Sequence, residues 1–168
     1  MNKPVLIYSF YISLICAVFL HIYAYTGFTI SWMNFVILAL YFGTGSKLKD
    51  ILAIFLNIGA GLIWGQLNFV FFALVGGMGI PEQLATFMTT VIVTTVAIFV
   101  HLRILKNTVF NKLPFIFVGL ALTTSQGGNN EIELIITVIA ALLLALACSL
   151  GESLLWSRPT QKSKAQNN

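Results

Sequence analysis

The 168-residue chain is 58% hydrophobic and only 8% charged, with a formal net charge of +4. Soluble domains carry roughly a quarter charged residues, so this chain lacks the polar surface to face water and must face lipid over most of its area. A basic balance can point to nucleic acid, but in a membrane protein it is explained by topology signals on cytoplasmic loops. No nucleic-acid partner is expected.

Six apolar runs follow one another between short polar or Gly/Pro breaks. The first spans about 5–25 and ends at Thr26-Gly27. It carries no small-x-small cleavage site after Leu20, so it reads as a retained anchor and not as a signal peptide. The second, about 30–42, stops at Gly43-Thr44-Gly45-Ser46. The third, about 51–75, stops at Gly76-Gly77-Met78-Gly79-Ile80-Pro81. The fourth covers about 84–105. The fifth, about 113–122, dissolves into Thr123-Thr124-Ser125-Gln126-Gly127-Gly128. The sixth runs from about 132 to 156. A polar tail over 158–168 is expected to be disordered and cytoplasmic.

A bilayer core of about 30 Å needs roughly 20 helical residues. Runs one, three, four and six satisfy this; runs two and five reach only about 20 Å at 1.5 Å per residue. Charge placement argues that the short runs cross too. With six crossings and a cytoplasmic N-terminus, one side receives Lys3, Lys47, Lys49, Arg103, Lys106, Lys112, Arg158, Lys162 and Lys164, all nine basic residues. The other side receives Glu82, Glu131 and Glu133. Removing either short crossing destroys this segregation, which the positive-inside rule favours.

The order long, short, long then repeats. Three crossings per half place the halves in opposite orientations, as in many transport proteins. The expectation is an all-α integral membrane fold over 1–157, made of two inverted three-helix repeats (about 5–75 and 84–156) with short second and fifth helices. At an offset of 82 residues Phe35 pairs with Phe117, Ala39 with Ala121 and Gly45 with Gly127.

Non-helical backbone at membrane depth must be shielded by protein or line a wet cavity. A short helix leaves its last carbonyls there, and Thr or Gln side chains add donors and acceptors. The candidate pore- or substrate-lining residues are therefore Tyr41, Gly43, Thr44, Gly45, Thr123, Thr124, Gln126 and Gly127 at the two discontinuities. Asn57, Trp64 and Gln66 join them from the third run. The competing reading of Asn34, Asn57, Gln66 and Asn68 is an amide bridging neighbouring helices. Trp64 either lines a cavity or fills the bundle core. Gly61-x-x-x-Gly65, Ala141, Ala145 and Gly151 read as close-packing positions. Glu152 reads as an interfacial acid paired with a basic residue, and Trp32 and Trp156 as interfacial anchors.

Cys16 and Cys148 lack metal or redox spacing, and His21 and His101 form no recognisable relay. No hydrolase, zinc-protease or phosphate-loop motif occurs. The expectation is a non-enzyme without cofactor or metal, partnered by lipid, a small solute and further copies of itself.

Two groups of residues carry a further likeness: Ser31-Trp32, Phe35, Tyr41-Phe42, Gly45, Gly61 and Trp64, and Leu113-Pro114, Phe117, Gly119, Ala121, Thr123 and Gly127-Gly128. On these the chain resembles the bacterial inner-membrane family called domain of unknown function 1097. The resemblance implies a polytopic inner-membrane protein and supplies no substrate.

Overall fold

The computed structural model describes residues 3–155, all of whose regular structure is helical. In chain order these are α1 (Lys3–Ala24), α2 (Ser31–Gly43), α3 (Ile51–Gly76), α4 (Glu82–Phe99), α5 (Leu113–Ser125) and α6 (Glu131–Leu155). The segments about α1, α3, α4 and α6 are long and apolar enough to cross a membrane, whereas α2 and α5 have 13 residues each. The tail over 158–168 and Trp156 lie outside the described residues.

Local chemistry explains most boundaries. Pro81 caps α4 and Pro114 occupies the first turn of α5, where a missing N–H costs nothing. Glu82 opens α4, and Glu131 and Glu133 sit in the first turn of α6. There the partial positive charge of the helix start favours them. Both carboxylates also accept from other elements, Glu133 from the Thr29 amide and Glu131 from the Gln66 side chain. The fifth helix also outlasts its apolar run, because Thr123, Thr124 and Ser125 donate their hydroxyls to carbonyls three or four residues back. The fourth run closes with a π turn over Val100–Ile104, where the Leu105 amide bonds to the Val100 carbonyl at 2.8 Å.

Hydrogen bonds sort the connections into two ends. The Thr29 amide bonds to Glu133, and the Gln66 amide to the Gly128 carbonyl and Glu131. The α1–α2 and α5–α6 connections therefore share one end, which carries Glu131 and Glu133. At the opposite end Lys112 pairs with Asp50 at 3.2 Å, joining the α4–α5 and α2–α3 connections. Lys47, Lys49, Arg103, Lys106 and Lys112 all lie in or beside these two connections.

The packing has a definite pairing. α3 packs chiefly on α5 and then on α4, and α6 packs chiefly on α2 and then on α1. α3 buries Ile54, Asn57, Ile58, Gly61 and Gly65. The residues 80 positions later on α6 are Leu134, Thr137, Val138, Ala141 and Ala145, and all five are buried.

The small residues act as the sequence suggests. A Cβ on Gly61 would land on the Ile116 carbonyl oxygen, and one on Gly119 on the Ile58 carbonyl oxygen. Gly65 lies equally close to the Thr123 side chain. α3 and α5 thus meet backbone to backbone. On the other side, Ala141 and Ala145 are fully buried, and Gly151 leaves room for the Tyr11 ring.

Candidate functional site

The two short helices end in the same way. After α2, Gly45 takes φ +64 and the Ser46 amide reaches back to the Tyr41 carbonyl at 3.1 Å. After α5, Gly127 takes φ +61 and the Gly128 amide reaches back to the Thr123 carbonyl at 3.0 Å. This is the six-to-one closure in which a left-handed residue ends a helix and satisfies its orphan carbonyls. Tyr41 and Thr123, 82 residues apart, occupy the same position in the motif, and both are fully buried.

The last carbonyls are thus less bare than the sequence implies. Those of Leu40, Tyr41 and Phe42 accept from Thr44, Ser46 and Gly45, and those of Thr123 and Thr124 from Gly128, Gln126 and Gly127. Around them, the Ser149 hydroxyl donates to the Tyr41 hydroxyl at 3.0 Å. Thr44 bonds to the Leu40 carbonyl and to the Ser46 hydroxyl. Thr123 donates within reach of the Leu62 and Gly119 carbonyls. Gln126 accepts from the Asn130 side chain at 3.0 Å. Gly43 ends α2 in an exposed position.

The candidate residues fall into three groups. Tyr41, Gly43, Thr44 and Gly45 lie toward the basic end. Thr123, Thr124, Gln126 and Gly127 lie toward the acidic end. The third group is set by what α3 touches. Asn57 is fully buried, and its amide donates to the Ala53 and Val109 carbonyls at 2.6 Å while its oxygen accepts from the Lys112 amide at 3.0 Å. It ties down the α4–α5 connection and does not bridge to a helix face.

Trp64 donates its indole N–H to Nε2 of His101 at 3.0 Å, and Nδ1 of the same ring lies 2.6 Å from the Phe110 carbonyl. Because an indole nitrogen is only a donor and a carbonyl only an acceptor, His101 must carry its proton on Nδ1. This buried imidazole, set in the π turn, is a polar centre that spacing alone did not reveal. A mid-run indole and a histidine at the end of the next run were visible, but not that they meet.

Gln66 and Thr123 border an almost wholly apolar cavity of about 440 Å³ between α3 and α6, with Glu131 at its polar rim. Thr124 lines a different cavity, of about 330 Å³, between α3 and α4. Asn34 is buried with its amide on the Ser31 carbonyl, and its Oδ1 has no partner among the described residues. No cluster of three potential metal ligands occurs among the described residues.

The family described as "Protein of unknown function (DUF1097)" matches residues 9–155. The chain belongs to that family. Neither the curated proteins nor the solved structures yield a significant match. The family assignment carries no activity with it, so function has to be argued from the helices themselves.

Proposed function

We propose that this DUF1097 protein is a channel or facilitator for a small neutral solute or a monovalent ion. In this reading it sits in a bacterial inner membrane with both termini cytoplasmic, assembles with further copies of itself, and consists of two inverted three-helix repeats. The observation that carries the reading is the matched pair of short helices, each closed by the same glycine motif and pointing toward opposite ends of the bundle.

The pairing of the helices supports the inverted repeat. Exchanging the first three helices for the last three turns the α3–α5 and α3–α4 contacts into α6–α2 and α6–α1, the pairs that pack most closely in the other half. Polar anchors follow the same exchange. Asn57 holds the α4–α5 connection, and Thr137, 80 residues later, bonds at 2.7 Å to Tyr23, one residue before the end of α1. Repeats of this kind place solute paths at their interface, often beside interrupted helices.

Stopped-flow measurements on reconstituted liposomes test the reading with a panel of water, urea, ammonia and monovalent inorganic and organic cations. At least one permeability should rise above that of empty vesicles. Tyr41→Trp and Thr123→Trp should lower it. Unchanged permeability across the whole panel favours the alternative, an assembly or regulatory partner without transport.

A further inference from the structure

The cavity between α3 and α4 is built unlike the others. Its polar lining comes from Asn68, Glu82, Thr86, Thr89, Thr90 and Thr124, on three helices. Thr86 donates to the Glu82 carbonyl, Thr89 to the Thr86 carbonyl, and Thr124 to the Leu120 and Ala121 carbonyls. With those protons spent on their own helices, the three hydroxyls present only lone pairs to the space they line. Glu82 adds a carboxylate with no ion pair to another described residue, and the Lys112–Asp50 pair lies at the opposite end of the bundle. The side chain of Asn68, half-buried on α3, has no hydrogen-bond partner among the described residues. An amide left this way inside a membrane bundle ordinarily finds a partner on another helix.

The rest of the wall is aromatic: Phe69 and Phe72 complete the lining, and phenyl faces attract cations. The result is a space rich in acceptors, with one unneutralised negative charge and two aromatic rings. Its volume of about 330 Å³ lies at the small end of ligand pockets. Such a lining repels anions. It satisfies a cation whose N–H groups can be shared among several oxygens.

The other half of the molecule sharpens the point. The inward faces of α1 and α4 match at an offset of 78 residues: Tyr11 with Thr89, Ile15 with Val93, Phe19 with Ala97 and Tyr23 with His101. In the groove between α6 and α1, the Tyr11 ring lies against Gly151 and its hydroxyl donates to the Ala147 carbonyl at 2.8 Å. Where α4 offers a threonine and open space, α1 supplies a phenol that fills it. The cavity is therefore particular to the acidic end.

We infer that the α3–α4 cavity binds a small monovalent organic cation bearing N–H donors, an ammonium or guanidinium ion, held by Glu82, Asn68 and the threonine oxygens. This names the solute class of the transport reading and rests on it for the ion's passage, though not for its binding.

The test uses the full chain in lipid nanodiscs and two probes of one shape, methylguanidinium and uncharged N-methylurea. Calorimetry should show saturable binding of methylguanidinium, about tenfold or more tighter than N-methylurea, as one charge-assisted hydrogen bond would give. Glu82→Gln keeps the shape and should remove that preference while lowering thermal melting only slightly, since Glu82 is exposed and loses only its interaction with the start of α4. Thr89→Val should weaken methylguanidinium without creating a preference for N-methylurea. Equal binding of the two probes, no binding of methylguanidinium, or an undiminished preference in Glu82→Gln would each overturn the assignment. Liposome flux separates the two readings. Methylguanidinium binding without flux of any solute keeps the site and sinks transport; urea flux without methylguanidinium binding does the reverse.

Discussion

The α3–α5 and α2–α6 junctions correspond in the proposed repeat, yet they are made differently. At the first, Gly61 and Gly119 bring two backbones into contact, and Gly65 admits Thr123. At the second, the residue 82 positions before Gly119 is Ile37, buried completely, and the neighbouring polar contact is Ser149 to Tyr41. One junction is joined by missing side chains and the other by filled ones. The first should therefore fail by overpacking, and the second by cavity formation or loss of a hydrogen bond.

The largest effect is expected where no side chain fits. Gly119→Ala drives a methyl into the Ile58 carbonyl and should cost about 3 kcal/mol or more, at the upper end for overpacked sites. It should appear as a large fall in melting temperature in detergent. Ile37→Ala, at the matching place, should cost about 2–3 kcal/mol through an unfilled cavity. A Gly119→Ala protein that melts like the parent would show that the two backbones are not in contact, and the comparison would collapse.

The polar anchors give the next contrast. Asn57→Leu leaves the Val109 carbonyl and the Lys112 amide without their partner and should cost about 2 kcal/mol. Thr137→Val removes a single bond to Tyr23, worth about 0.6 kcal/mol between membrane helices. Hydrogen exchange over 105–112 should rise in the first variant and stay unchanged in the second. An equally small effect belongs to Tyr41→Phe. It loses only the Ser149 bond and should again cost about 0.6 kcal/mol by thermal melting. A loss several times larger would give Tyr41 a role beyond that hydroxyl.

Much of the helix frame could be read from the sequence because hydropathy and charge are properties of the chain in order. The four long runs, the two short ones and the distribution of Lys and Arg all follow from that. Gly61, Gly65, Ala141 and Ala145 were also legible, since small residues four apart have few uses other than close approach. What was not legible depends on which helices meet. Trp64 and His101 are 37 residues apart, and no local pattern says that α3 and α4 pack with these two rings together. The same holds for Asn57, whose partners belong to a connection more than 50 residues away. The threonine-lined cavity was missed for a related reason: its lining comes from three helices, and in sequence Thr86, Thr89 and Thr90 look like ordinary members of an apolar run.

The pairing of α2 with α6 and of α5 with α3 also has a consequence for biosynthesis. A 13-residue helix spans about 20 Å, so neither short helix can settle alone in a bilayer core of about 30 Å. When α5 leaves the ribosome, its partner α3 has already been made, and the glycine seam can close at once. α2 emerges early, but α6, on which it chiefly packs, follows all the other described helices. Until Ser149 has been translated, the Tyr41 hydroxyl lacks its partner. The N-terminal half must then wait in the membrane with a short polar-ended helix unpaired, and chains halted before α6 should be the preferred prey of membrane quality-control proteases.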